Sequence, residues 1–163
     1  MKRILFILLL LPFISNAQTD PAEVKSDGKL NLTHSNKTVT VPAARKEGDK
    51  RKLKDDEVYT GNVKFKIGGN EISCDSAILY KNDDKLSAFH VIITNPVSFV
   101  IKGDNLNFDK EKVTGTLTSN ISVTAMNGNV VGTSDNFELD FSYDVYRIIN
   151  GSMIPPPHAD AGH

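Results

Sequence analysis

The run GNVKFKIGGNEISCDSAILY, residues 61–80, alternates like a strand and then changes phase. In an extended chain residues i and i+2 share a face, so the apolar set of a half-buried strand keeps one parity. Ile72 and Cys74 have one parity, Ala77 and Leu79 the other, with Asp75-Ser76 between them. The change recurs further on: Val97, Phe99 and Ile101 stand against Leu106 and Phe108, across Gly103-Asp104-Asn105. A slip of one residue turns the apolar side chains outward unless the chain bends or bulges at that point. Glycine and Asx residues tolerate the backbone this requires. The phase change therefore predicts strands that bend in mid-course and keep their apolar side chains inward on both arms.

The pattern repeats at about thirty residues. One landmark reads Gly61-Asn62-Val63-Lys64-Phe65, then Phe89-His90-Val91-Ile92-Ile93, then Ser119-Asn120-Ile121-Ser122-Val123. A second is an Asp heading an alternating run, at Asp75, Asp104 and Asp135, with spacings of 29 and 31. In the third copy Val130 and Val131 offer both parities, which blurs the slip. The three Asp residues read as corner formers rather than catalytic groups. Stacked units of this kind predict an all-β, two-sheet open β-jellyroll built from about three two-strand repeats. Its inner faces are expected to carry Val63, Phe65, Ile67, Ala77, Leu79, Val91, Ile93, Phe99, Leu106, Phe108, Ile121, Val123, Phe137 and Leu139. Lys64, Lys66, Asn107, Ser122, Thr124 and Glu138 fall on the outer faces, the alternation of a sheet wet on one side. The first and last strands, Tyr59 to Ile67 and Val145 to Ile154, are the expected free edges. Tyr59, Val63, Val145 and Ile149 are the candidate edge-pairing residues.

Outside this region the chain reads differently. Lys2 and Arg3 precede an apolar run from Ile4 to Ile14, and Ser15-Asn16-Ala17 offers small residues for cleavage. Residues 1–17 thus read as a secretory signal peptide, with a mature chain from about Gln18 outside the cytoplasm. The alternative, a membrane anchor, needs about twenty apolar residues. Residues 18–57 form a polar N-terminal segment, with one plausible strand from Leu30 to Val41 and a charged linker at residues 44–57. The domain is expected over residues 58–154, and the proline-rich residues 155–163 form a disordered tail. Without Lys2 and Arg3, 17 basic residues face 20 acidic ones, which argues against a nucleic-acid partner. Cys74 is the single cysteine and reads as a small buried apolar residue. No phosphate loop, nucleophile motif or metal-ligand spacing is present, so neither an enzyme, a cofactor nor a metal site is expected. His158 and His163 on the tail are a weak metal signal, and nothing in the sequence places His90 beside Asp75 or Asp104.

The phrases GNVKF, CDSAILY, KLSAFHVII and IKGDNLNFDKEK, in that order behind a secretory start, resemble the OstA-like proteins. These are the LptA-type periplasmic components of lipopolysaccharide transport. The resemblance covers about residues 58–154. It implies a β-jellyroll open along one edge, with an interior that accepts lipid acyl chains, and protomers joined edge strand to edge strand in a bridge between two membranes. Phe89-His90-Val91 departs from the Gly-Asn-Val expected in the second unit, so that turn is expected to be built differently. The resemblance implies a lipid-binding carrier whose partners are lipopolysaccharide or a related lipid and other jellyroll components. The alternative is a β-sheet interaction module that assembles by its edges without lipid, as a homo-oligomer or with a partner. An open apolar groove favours the first reading and a filled core the second.

Overall fold

The computed structural model describes residues 25–44 and 52–156. The expected signal peptide, His158 and His163 lie outside the described residues. Nine strands follow in chain order: β1 (Asn31–His34), β2 (Lys37–Val41), β3 (Asp56–Ile67), β4 (Asn70–Tyr80), β5 (Lys85–Thr94), β6 (Val100–Asp109), β7 (Thr114–Thr124), β8 (Val130–Asp140) and β9 (Arg147–Asn150). They form one antiparallel sheet in the order β1-β3-β4-β5-β6-β7-β8-β9, with β2 also on β3. From β3 to β8 each strand pairs with its chain neighbour, so the sheet is a meander of hairpins.

Every long strand breaks its buried alternation once, and β4, β5, β6 and β8 change parity there. In β4 the buried set runs Ile72, Cys74, then Ala77; in β6 it runs Ile101, Gly103, then Leu106 and Phe108. β5 does the same between Ala88 and Val91, and β8 between Ser134 and Phe137. In β3 and β7 the step is one residue longer, from Tyr59 to Val63 and from Leu117 to Ile121, and the ladder registers shift there. The extra residue of each bulge lets the strand bend without losing its inward face. The changes line up across the sheet as a crease through Asn62, Asp75, His90, Asp104, Asn120 and Asp135. β1 and β2 continue it, since they pair with the two arms of β3 and the Asn36 amide between them donates to the Gly61 carbonyl at 3.0 Å.

The bend is thus where the Asp residues predict it, but the unusual backbone is not on them. Left-handed φ occurs at Gly61 (74°), Asn62 (49°), His90 (53°), Ser119 (65°) and Asn120 (52°), on the strands between. His90 takes the conformation of Asn62 and Asn120, so the second unit turns as the others do despite its different sequence. Histidine and asparagine enter this region more readily than most residues.

The crease divides the sheet into two layers. The first holds residues 31–34, 63–67, 70–74, 91–94, 100–103, 121–124 and 130–134. The second holds residues 37–41, 56–60, 77–80, 85–88, 106–109, 114–118, 137–140 and β9. The two faces meet in one core. Tyr59 of the second layer packs edge-on against Phe65 of the first, ring centroids 5.7 Å apart. Sheet begins well before residue 58, the expected boundary. Two short strands pair there because Leu32 and Val39 lie in a stretch able to extend along both arms of β3.

Candidate functional site: the interior and its mouth

Twelve of the fourteen residues expected inside are buried, from Val63, Ile67, Ala77 and Leu139 at 0% exposure to Val123 at 2%. Leu79 is only partly buried, packed against the core from near the end of β4. Phe99 is 47% exposed, contrary to expectation. It precedes β6 in the loop of residues 95–99, so its parity with Ile101 is not continued by strand geometry. Ile72 and Ile101, which the parity argument turns inward, are buried too; sequence reading missed Tyr59, Leu86, Ala88, Leu117, Phe141 and Tyr146 as core residues. Alternation on β5 and at the start of β7 would have identified three of them, Leu86, Ala88 and Leu117.

The side chains of this interior fill it. Gly103 shows how tightly: a Cβ there would lie 2.8 Å from Leu117 Cγ of the opposite layer. Cys74 is buried in the same core, and burial pushes its thiol up to about 11, with Asp75 adding to the shift. No thiolate forms there near neutral pH.

The candidate edge residues separate. Tyr59 and Val63 lie on β3, which is not an edge because β1 and β2 cover it. Their side chains face the core. Val145 is 7% exposed and lies outside any strand. Ile149 is on β9, the last strand of the sheet, and is 52% exposed. The outer edges among the described residues therefore belong to β1 and β2 at one end and β9 at the other.

Opposite the crease the two layers end in separate rims. Residues 68–69, 95–99 and 125–129 form the first-layer rim; residues 81–84 and 110–113 form the second. Residues 141–146 cross between them as a strap. The Phe141 amide donates to the Val113 carbonyl at 2.9 Å on the second rim. On the first rim the Tyr146 amide donates to Asn70 Oδ1 at 3.0 Å, and Asn95 Nδ2 donates to the Asp144 carbonyl at 2.8 Å. The Tyr146 hydroxyl donates to the Phe99 carbonyl, and burial raises its pKa. Asn70 and Asn95 are 1% and 5% exposed and bond to each other through Asn95 Nδ2 and Asn70 Oδ1 at 3.1 Å. Near the N-terminus, the Ser26 amide donates to the Ser142 carbonyl at 2.8 Å. Phe141 and Tyr146 are buried, and Phe141 stacks edge-on to Phe108 at 5.7 Å. The strap thus closes the mouth with aromatic side chains and a buried amide clamp.

On the outside of the crease His90 Nδ1 lies 2.9 Å from Asp75 Oδ2, a juxtaposition the sequence did not reveal. Both side chains are largely exposed. Asn120 Nδ2 donates to Asp104 Oδ2 at 2.5 Å in the same row. These pairs bridge adjacent strands at the bend, and no group of three or more metal-ligating side chains forms among the described residues.

Comparison with known proteins agrees with this geometry. Comparison with curated protein sequences gives no match. Among solved structures the chain resembles LptH, the LptA homologous periplasmic component of the lipopolysaccharide transport device from Pseudomonas aeruginosa. The match has a TM-score of 0.50 at 14% identity and covers 79% of this chain and 96% of that one. At that identity the likeness is one of fold, the open β-jellyroll. A sequence model described as OstA-like protein matches residues 28–154, a span that takes in β1 to β9 and the strap. By this match and by the creased two-layer sheet, the chain belongs to the OstA-like protein family.

Proposed function

We propose that this chain is a periplasmic lipid-binding component that takes lipopolysaccharide acyl chains into the interior of its β-jellyroll and passes them toward the outer membrane. The observation that carries the reading is an interior lined on both layers by branched aliphatic and phenylalanine side chains, within an OstA-like sheet whose two rims do not pair as a ladder among the described residues. Such an interior stabilises an acyl chain by about 25 cal/mol per Å² of apolar surface buried. The likeness to LptH supports the periplasmic location and the transport setting. Residues 1–17 direct export, and the mature chain starts near Gln18. Neighbouring jellyroll components are its expected partners.

One observation favours a second reading. The interior is filled, and the outer edges of β1, β2 and β9 carry exposed apolar residues, Leu32, Val39, Ile148 and Ile149 among them. A sheet with such ends can assemble by strand pairing without a cargo.

Photo-crosslinking decides between them. A photoactivatable residue at Phe108, 1% exposed, or at Lys64 on the outer face is irradiated with lipopolysaccharide in the folded mature protein. Lipid captured at Phe108 and not at Lys64 supports the carrier. Capture at neither position, with the protein shown to be folded, leaves the edge-pairing module.

A further inference from the structure

A filled interior raises the question of where a lipid chain goes in. The two rims of the mouth differ sharply in chemistry. From Thr94 to Ile101 and from Ile121 to Ser134 there is no charged residue. The loops in these spans are neighbours, because Val100 pairs with Thr124. They expose Val97 (61%), Phe99 (47%) and Met126 (62%). The opposite rim carries Lys81, Asp83 and Asp84 on one turn and Asp109, Lys110, Glu111 and Lys112 on the next. A recess of about 410 Å³ lies where the apolar rim meets the strap, between Gly68, Gly69, Pro96 and Val97 on one side and Asp144 and Val145 on the other.

Resting on the carrier reading above, we propose that this recess is the entry portal for acyl chains and that the strap is its gate. A chain crosses Val97 and Phe99, slides beneath the strap and takes the place of Phe141, Val145 and Tyr146 as they lift. Entry over the charged rim would require dehydrating its ion pairs, such as Lys110 with Asp84 at 3.0 Å. Entry at the apolar rim requires only the release of the strap. Residues 141–146 lie outside the strands, and their first-rim end is held by the side chains of Asn70 and Asn95 and by the Tyr146 hydroxyl on Phe99. The apolar surface that the strap gives up is re-covered by the lipid, so the opening is driven by the cargo. The polar head stays in water outside the mouth.

The test follows lipopolysaccharide capture at a photoactivatable residue in place of Phe108 over time, with amide hydrogen exchange of the strap beside it. Lipid is expected to speed exchange at Phe141 and Tyr146 by about tenfold while the β6–β7 ladder stays protected. Asn95→Ala is expected to speed capture, and Tyr146→Phe, which keeps the ring and loses the bond to Phe99, gives the same direction if Asn95→Ala fails to fold. Val97→Asp with Phe99→Asp, both at exposed positions, is expected to slow capture by about tenfold. Equal capture rates in all variants with an unchanged strap overturn the portal and leave the carrier reading standing. Rim variants that lose capture from lipid vesicles alone, with detergent-dispersed lipid captured as before, make the rim a surface-docking patch and also overturn it. No capture at Phe108 under any condition removes the carrier reading and the portal with it.

Discussion

At Gly103 the two layers approach more closely than a side chain allows. The position is buried, and Leu117 of the facing layer occupies the space a Cβ would need. Overpacking a filled core costs about 1–3 kcal/mol, so Gly103→Ala is expected to lower the denaturant midpoint by that order with little change in slope. His90 poses the opposite problem, of backbone rather than space. It is largely exposed yet sits at φ 53°. A β-branched residue there costs roughly 1–2 kcal/mol, whereas Asn suits the conformation. Denaturation of His90→Val is expected to show that loss and His90→Asn almost none. Equal stability of the two would mean that the pair with Asp75, and not the bend, is what His90 supplies.

At the scale of elements, the crease was legible where large side chains mark both arms. Ile72 and Cys74 against Ala77 on β4, and Ile101 against Leu106 and Phe108 on β6, are such cases. In β8 the buried residues before the crease are Gly132 and Ser134, so no apolar parity announces the change at Asp135. The strap was not legible at all. It has no period, and the side chains that hold it, Asn70 and Asn95, lie 76 and 49 residues away in sequence. Tyrosine and phenylalanine in such a stretch look like strand residues until the clamp is seen. A different junction carries a pH dependence. Lys81, in the turn after β4, bonds Glu57 Oε1 on β3 at 2.6 Å, and the Tyr59 hydroxyl bonds its other oxygen. These bonds, Lys81 first, hold the Glu57 carboxyl below its usual value of 4.5. The folded state therefore binds this proton less readily than the unfolded chain. The stabilisation is full above the unfolded pKa and is lost as pH falls through the lower folded one. Glu57→Gln is expected to reduce thermal stability at pH 7, and the difference is expected to shrink steadily as the solution is acidified below the unfolded pKa.

Across the whole molecule, the two-layer jellyroll and most of its interior could be read from parity, because burial on one face leaves a period of two. The ends could not. Leu32, Val39 and their neighbours are exposed, so β1 and β2 lack the inward face that marks a strand in sequence. Their role appears only in the pairing with β3. A chain truncated before Asp56 is expected to expose the edge of β3 and to lose the link from Ser26 to Ser142. Greater self-association in size-exclusion chromatography than the untruncated chain shows at the same concentration checks this; no difference between the two would show that β3 needs no cover.

The crease runs across every long strand, and each repeat contributes one hairpin to it. Neighbouring strands are about 4.8 Å apart, so one repeat lengthens the enclosed space by roughly 9–10 Å. Because a hairpin returns the chain to the side it left, a whole repeat can be added or removed without reversing either end strand. The fold is a ruler graduated in pairs of strands: its reach is set by counting repeats, independently of the chemistry at its tips.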